Sequence, residues 1–577
     1  MDAKSSTSCL LPVLLLGCAG LAGVDEYEVR DTPGGSAAPE ACSGATEVRE
    51  PGGECVQTGV LNCLDAPGWT PDSRGGCSYR LACARGLEST DELQLPSSCH
   101  RFGCTPPAQA ANWVVDSRNP GSGPGQGTEV DPFVSIQTAV DHAQSGQTIF
   151  VRGGQYSENV VIDKPIFLDG RCPTLDVIVR ALDPLKPVLT VVAGAAPPSA
   201  SDLVSIDGLR IEGGSAGVRV EGGPQTNLSE LWIEGAEGPG IEIRARQHPV
   251  RILNLAVVGA RGAGIAVLGS PAGDVDINGA LVRGTSDDGR LGGHGLYASS
   301  AGAATSDFCD SGLSPLLVAV SNSIFEQTSG AAVFAEGTEL LLTDSLVLPA
   351  ENATQKGPAL VARAEPAGRV RGSLQATRVF VDRVGGGGID LFDLETAAIA
   401  DTVVRGAEPS SDSACAASIR AESAPNRDSR QGWICPIPAR PAMDLSISRV
   451  LVDGAALAGL MLVETPAHIT QLLVRGTRSE PCSGRFGDGV AAYSLGAETV
   501  PVDLFASRIE HNARAGVAAF GSNVSVAGVE LACNGAGIVG QRALPAAGRS
   551  ACGCGAENRS LCVPVSAALD PALRGWQ

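Results

Sequence analysis

Residues 209–267 read LRIEGGSAGVRVEGGPQTNLSELWIEGAEGPGIEIRARQHPVRILNLAVVGARGAGIAV. Three times an apolar-x-apolar strand leads through a small or polar turn to a glycine and a second apolar pair. The order returns at 379–391 (VFVDRVGGGGIDL), 450–462 (VLVDGAALAGLML), 507–519 (SRIEHNARAGVAA) and 529–540 (VELACNGAGIVG). The strand-ending residue can be followed through Ile211, Ile233, Val257, Val282, Phe325, Val347, Val381, Val404, Val452, Val474, Ile509 and Leu531. Its steps are 22, 24, 25, 43, 22, 34, 23, 48, 22, 35 and 22. A beat of 22 to 25 defines one coil, and 34 and 35 are coils with loop insertions. Steps of 43 and 48 are each two coils or one heavily decorated coil.

Alternate side chains of such short strands point inward. One coil cannot bury its apolar side alone, so neighbours must stack and share backbone hydrogen bonds. The recurring glycine (Gly217, Gly240, Gly264, Gly295, Gly388, Gly459, Gly489, Gly516, Gly537) opens a strand after a turn and is expected to tolerate φ > 0 at a corner that side chains would crowd. A helical or leucine-rich solenoid would need a helix per repeat, and none is visible. Stacking also explains the length. The chain has 577 residues, whereas a single globular core stops growing at roughly 250–300. Aromatic residues make up 4% of the chain, so the interior must be narrow and filled by Val, Leu, Ile and Ala.

Just before the repeats, DPFVSIQTAVDHAQSGQTIFVRGGQYSENV (131–160) places Ile136, Val140 and Ala143 on one helical face, then turns into a strand at Thr148. A short helix here would cover the open end of the first coil, where strand edges and an apolar cross-section lie bare.

The repeat resembles the right-handed parallel β-helix of the pectate-lyase-like superfamily, over residues 113 to 541. The opening resembles the start of many bacterial secreted β-helices. The matching elements are Asp131-Pro132-Phe133, Gly146-Gln147-Thr148-Ile149-Phe150-Val151 and Gly154-Gln155-Tyr156-Ser157-Glu158-Asn159. The expected fold is all-β: a right-handed parallel β-helix with a short N-terminal capping helix and a small Cys-rich N-terminal module.

The first residues read as a targeting segment. An apolar run, Cys9 to Gly17, is too short to span a bilayer. It ends in Leu15-Leu16-Gly17-Cys18, which resembles the bacterial lipobox and implies lipidation of Cys18. Ala19 follows, which by the same resemblance permits passage to the outer membrane; the expected location is the bacterial outer membrane or cell surface. Boundaries are then 1–17 signal peptide, 18–40 flexible tether, 41–107 Cys-rich module, 108–541 β-helix and 542–577 a Cys-containing C-terminal cap or tail. Of 18 cysteines, setting aside Cys9 and Cys18 leaves 18 − 2 = 16, an even number that suits disulfides in an oxidising compartment. Candidates are Cys42, Cys55, Cys63, Cys77, Cys83, Cys99, Cys104, Cys172, Cys415, Cys435, Cys533, Cys552, Cys554 and Cys562. The odd count between Cys42 and Cys104 predicts one bridge leaving the module, with Cys172 its nearest partner.

Charge narrows the partners. With 42 basic and 63 acidic residues the formal net charge is −21, which argues against nucleic acid and disfavours polyanions unless a cation bridges them. Two places approach the superfamily's catalytic constellations. Asp287-Asp288 and Gly293-His294-Gly295 resemble elements of polygalacturonase-like hydrolases, which imply Asp287, Asp288 and His294 as catalytic candidates. Those elements should lie about one coil apart, but here six residues separate Asp288 from His294, and Gly293-His294-Gly295 also reads as one coil's strand-opening glycine with a polar neighbour. At 384–395 (VGGGGIDLFDLE) a calcium-binding Asp-Asp-Gly-x-Asp has Gly386 and Gly387 in place of the paired Asp, keeping only Asp390. A hard cation wants six to eight oxygens. No metal or cofactor is therefore expected, and Asp390 and Asp393 read as solvated strand residues. The first reading is a monomeric, lipid-anchored, non-catalytic surface protein binding a polysaccharide or surface protein through insertions near 302–315 and 408–440. The alternative is a polysaccharide lyase or glycosidase.

Overall fold

The computed structural model describes residues 42–59 except 51, four pairs or triplets of strand residues between 69 and 100, and 111–541. Within that last span the loops at 120–122, 171–176, 195–201, 245–247, 270–272, 301–314, 349–356, 366–369, 408–416, 424–440, 480–485 and 495–498 are outside the description; beyond it two short strands are described. Expectations for Cys18, Cys63, Cys83, Cys104, Cys172, Cys415, Cys435, Cys554 and Cys562 fall on residues that are not described, as do those for the signal peptide and the tether.

Each coil lays one strand in a 15-stranded sheet (sheet A) and either one long bent strand or two short ones in a 25-stranded sheet (sheet B). One coil shows the pattern: Ile241–Arg244 in sheet A, then Val250–Val258 in sheet B. The next repeats it in parallel register, Ile241 beside Ile265 and Val257 beside Val282. The chain is thus a parallel β-helix, right-handed as strand–crossover–parallel strand units are. Val282 pairs directly with Phe325, and Val404 with Val452. The steps of 43 and 48 are therefore single decorated coils. The inward residues Ile211, Ile233, Val257 and Val282 are fully buried, and their core cluster runs unbroken from Val115 to Leu531.

Two corners explain the beat. The bend inside each sheet B strand is made by one left-handed residue per coil: Glu230, Asn254, Gly279, Asn322, Asp344, Arg378, Asp401, Arg449, Gln471, Ala506 and Gly528 all have positive φ. For non-glycine residues that conformation costs about 1–2 kcal/mol each. Ion pairs between successive corners offset part of it: Arg378 forks onto Asp344 at 2.5 and 2.6 Å, and Arg449 onto Asp401 at 2.5 and 2.8 Å. The strand-opening glycines meet the expected crowding but not the expected φ. None has positive φ. A Cβ on Gly240 would lie 2.4 Å from Cγ1 of Val257 and 2.8 Å from the carbonyl of Gly264, and the same crowding recurs at Gly217, Gly264 and Gly459. Glycine is required there by close stacking.

The helix Ile136–His142 covers the first coil with Ile136, Ala139 and Val140 buried. The Glu158 carboxylate accepts from Ile136 N and Gln137 N at 2.9 Å, and from Ser135 Oγ at 2.9 Å. Lys164 Nζ donates to the carbonyls of Val140 and Ala143 at the other end. Both ends are satisfied by side chains, as exposed helix termini require. Tyr156 donates to Arg152 O at 2.7 Å, and Asn159 bonds the backbone of Asp183 and Pro187. The opening motif is scaffolding.

The Cys-rich module contains the antiparallel pairs Glu47–Arg49/Cys55–Gln57, Trp69–Pro71/Cys77–Tyr79 and Glu88–Ser89/Cys99–His100, with a Cys42–Cys55 disulfide. Its first hairpin is docked on the coils. Gly59 N donates to Arg449 O at 2.9 Å, Arg475 Nη1 donates to Ala45 O at 2.9 Å, and the Gln471 amide meets the Glu50 carboxylate. Val48 packs with Val403, Leu451 and Leu473. At the far end Cys533 is disulfide-bonded. The strands Ala551–Cys552 and Val565–Ser566 pair with Glu530–Ala532 and Ala536–Gln541. The sheets therefore continue past 541, into residues expected to be a non-repetitive tail. No helix among the described residues is long and apolar enough to cross a membrane.

Candidate functional site on the outer face of sheet A

Sheet A strands present two outward positions each, and register stacks these into columns. One column runs Ala266, Tyr297, Phe334, Val361, Asp390, Arg420, Met461. Its neighbour runs Leu268, Ser299, Glu336, Arg363, Phe392, Glu422, Val463. Between the apolar ends lies a stretch of five coils carrying rings, guanidinium groups and carboxylates.

His294 closes one end. Its ring stacks on Phe334 at 4.8 Å and on Tyr297 at 5.7 Å, while Tyr297 and Phe334 stack on each other at 5.3 Å with planes 2° apart. Ala331 N donates to Nδ1 at 2.9 Å, which leaves the proton of the neutral ring on Nε2. Burial pushes the imidazole down to about 4, so it is uncharged at neutral pH. Asp287 Oδ1 accepts from Gly289 N at 2.7 Å, and Asp288 Oδ1 accepts from Arg290 N and Leu291 N at 2.8 and 2.6 Å. Both carboxylates hold their own turn, and neither bonds His294. Of the three candidates, only His294 joins the sheet A face.

The next coils carry two similar units. Arg363 lies 4.8 Å over the Phe334 ring and donates to Glu336 Oε2 at 2.8 and 2.6 Å; Ser299 Oγ donates to Glu336 Oε1 at 3.1 Å. Arg420 lies 5.0 Å over Phe392 and donates to Glu422 at 2.6 Å. Asp390 sits between them, half-buried where a solvated residue was expected. Desolvation raises its carboxyl to about 7, against the pull of Arg420 and with a further push from Glu422. Its carboxyl makes no hydrogen bond to any described residue. Asp393 lies at a left-handed corner (φ 53), 3.6 Å from Arg371. The missing calcium carboxylates have a backbone reason as well. Gly386 and Gly387 have φ of 92° and 117°, where aspartate would be strained. Among the described residues one group stands at metal-ligand spacing, Cys42, Glu47 and Cys55, but its two sulfurs are joined in the disulfide.

Sequence reading missed Tyr297, Phe334, Glu336, Arg363 and Arg420. Their signal was present: in the strands Leu296–Ser299, Val333–Glu336, Leu360–Arg363, Ile389–Phe392 and Ile419–Glu422 they are the even positions of period-2 segments. They converge only when strands are written in register.

No protein-family model matches the chain, and no curated protein sequence matches it. Among solved structures it is similar to the A-module of the mannuronan C-5 epimerase AlgE6 of Azotobacter vinelandii, at 12% identity and TM-score 0.32, covering 73% of this chain and 93% of that one. It is also similar to the catalytic domain of a GH87 alpha-1,3-glucanase in complex with nigerose (12%, TM-score 0.29, 72% and 64% covered). A pectin methylesterase in complex with a hexasaccharide gives 14% identity and TM-score 0.27, with 48% and 80% covered. The fold assignment rests on the strand pairing described above.

Proposed function

We propose that the protein is an exported, lipid-anchored, non-catalytic β-helix that binds a glycan along the outer face of sheet A, with Asp390 as its polar anchor. The observation that carries this reading is the Asp390 carboxyl, half-buried on the outer face and free of hydrogen bonds among the described residues. A half-buried carboxyl with no hydrogen bond from the protein can accept one from a ligand hydroxyl. The arginines of this face are already paired with glutamates, which favours a neutral glycan over a polyanion. Of the expected contact insertions, the one near 302–315 follows the strand Leu296–Ser299 in sequence, and the one near 408–440 is interrupted by the strand Ile419–Glu422. Binding to a panel of neutral and acidic polysaccharides tests the reading. Asp390→Leu should cut affinity for the bound glycan at least ~10-fold, consistent with losing a hydrogen bond to a charged group; unchanged affinity overturns it. Lipidation is tested separately by palmitate incorporation, lost in Cys18→Ala.

The same carboxyl favours a second reading. An acid near 7 is tuned for proton transfer at neutral pH, so a carbohydrate-active enzyme would use Asp390 rather than Asp287 or Asp288. Cleavage of any polysaccharide in the panel, abolished by Asp390→Asn, would replace the binding reading with this one.

A further inference from the structure

The strip on sheet A ends abruptly in both directions. Within it Tyr297, Phe334, Asp390, Phe392 and Arg420 are half-buried and Arg363 is exposed. One coil before Tyr297 the outward residue is Ala266, which is 0% exposed because Leu291 packs in the same small cluster, with Leu268 and Tyr297 at its edges. Leu291 arrives on the turn that carries Asp287 and Asp288. That turn is pinned to the preceding coil, where Gly262 N donates to Ser286 O and Ser286 N donates to Ala260 O. Asp288 then accepts from Leu291 N and fixes the leucine on the sheet. The two carboxylates hold a wall. The far end is closed as well. Beyond Arg420 and Glu422 the outward residues are Met461 and Val463, followed by Ala491 and Tyr493. All four are buried, in one apolar cluster with Phe486. Arg514 lies 5.8 Å from the Phe486 ring while forking onto the buried Asp488. Stacking does not require such closure, because the same outward positions in the first coils carry Arg219, Glu221 and Arg244.

We propose that the strip is a groove walled at both ends, which seats a short glycan of about four or five neutral sugar units, one pyranose per coil of about 4.8 Å, and not the interior of a longer chain. The proposal rests on the glycan reading above and adds the size of the ligand. The floor is made by five coils, those of Tyr297, Phe334, Val361, Asp390 and Arg420. From the first to the last of them is roughly 19 Å. A longer chain laid along the axis would have to press its next unit against Leu291 or into the Met461 cluster. Those side chains offer a sugar hydroxyl no partner, and burying a hydroxyl unpaired costs more than the contact returns. The outer face of sheet A thus limits length by its ends and chemistry by its floor.

The test is a length series on the full unsubstituted chain. Its probes are oligosaccharides of roughly two to ten units, prepared by partial hydrolysis of the neutral polysaccharide that binds in the panel, and affinity is read by calorimetry. Each added unit up to about five should tighten binding at least ~3-fold, and further units less than ~1.5-fold. A gain that continues past about seven units, or that stops at one or two, overturns the groove and leaves the glycan reading in place. Binding by the polysaccharide but by none of its oligomers does the same. No binding by any member of the panel removes the glycan reading, and the groove with it. Leu291→Ala lowers one wall at a position outside the coil interior. Seven units should then bind at least ~3-fold tighter than five, with three units unchanged; no such gain overturns the wall. The length series decides the proposal even where that variant does not fold.

Discussion

Sheet A and the second arm of sheet B, the strand residues after its bend, share one interior but carry opposite exteriors. Over the same coils, sheet A turns out Tyr297, Glu336, Arg363 and Asp390, whereas the second arm of sheet B turns out a buried apolar stripe, Leu281, Ile324, Leu346 and Phe380. The interior is indifferent to this, because period-2 side chains separate inside from outside at every strand. A stack of coils can therefore dedicate one face to being covered and another to chemistry without changing its core. What an outer face displays is informative because the fold does not demand it.

The largest test of that contrast is a buried charge on each face. Leu281→Asp places an unpaired carboxylate in the covered stripe and should cost about 4 kcal/mol or more, read as lost protection in hydrogen exchange at 279–283. Tyr297→Asp, one coil on and half-exposed, should cost far less. Equal losses would mean that the two exteriors do not differ in cover. Next in size is Asp488→Ala. Asp488 is fully buried and paired with Arg514 through a forked ion pair, so truncation strands a guanidinium at a cost of about 3–5 kcal/mol. Chemical denaturation of the variant, with Asp488→Ala/Arg514→Leu as control, would show whether the stranded charge is responsible; the double variant should recover part of the loss.

Asp390→Asn should act in the opposite direction. The folded carboxyl titrates near 7 against an ordinary value near 3.8. Between those values the folded chain holds a proton that the unfolded chain has released, so parent stability falls as pH rises through the window and is flat above it. The asparagine variant has no such slope. It should gain on the parent from pH 4 to 7 and keep that advantage at pH 8, measured by denaturant midpoints across the range. A variant that stays below the parent at pH 8 would mean that the carboxylate is well solvated.

The sequence disclosed the stack but not its faces. The beat of 22 was readable because a left-handed bend recurs coil after coil and a close-packed glycine in most of them, although that glycine was also expected to reach positive φ. Ser135–Ala143 was readable as a helix because its apolar spacing is local. The stripe left a mark as well: Leu231-Trp232-Ile233, Val379-Phe380-Val381 and Val450-Leu451-Val452 are unbroken apolar triplets, where Ser507-Arg508-Ile509-Glu510 alternates. Continuous runs signal strands buried on both sides. Sheet A's polar strip stayed hidden for a different reason. Its members come from successive coils up to 37 residues apart (Tyr297 to Phe334), and insertions of uneven length shift them out of any sequence window.

The smallest expected effect concerns His294, the one sequence candidate that does sit on sheet A. Its ring titrates near 4 when folded, against an ordinary 6.5. Below 6.5 the unfolded chain takes up a proton that the folded ring refuses, so stability declines as pH falls from 6.5 to 4 and is unaffected above 6.5. His294→Gln keeps an acceptor for Ala331 N while removing the titration, and should flatten that segment of the curve with little change at pH 7.5. If the ring were instead a working acid or base of a glycan-cleaving site, glutamine would abolish turnover at pH 7.5 and leave the acid limb in place. The two outcomes separate a residue that holds the face together from one that performs chemistry on it.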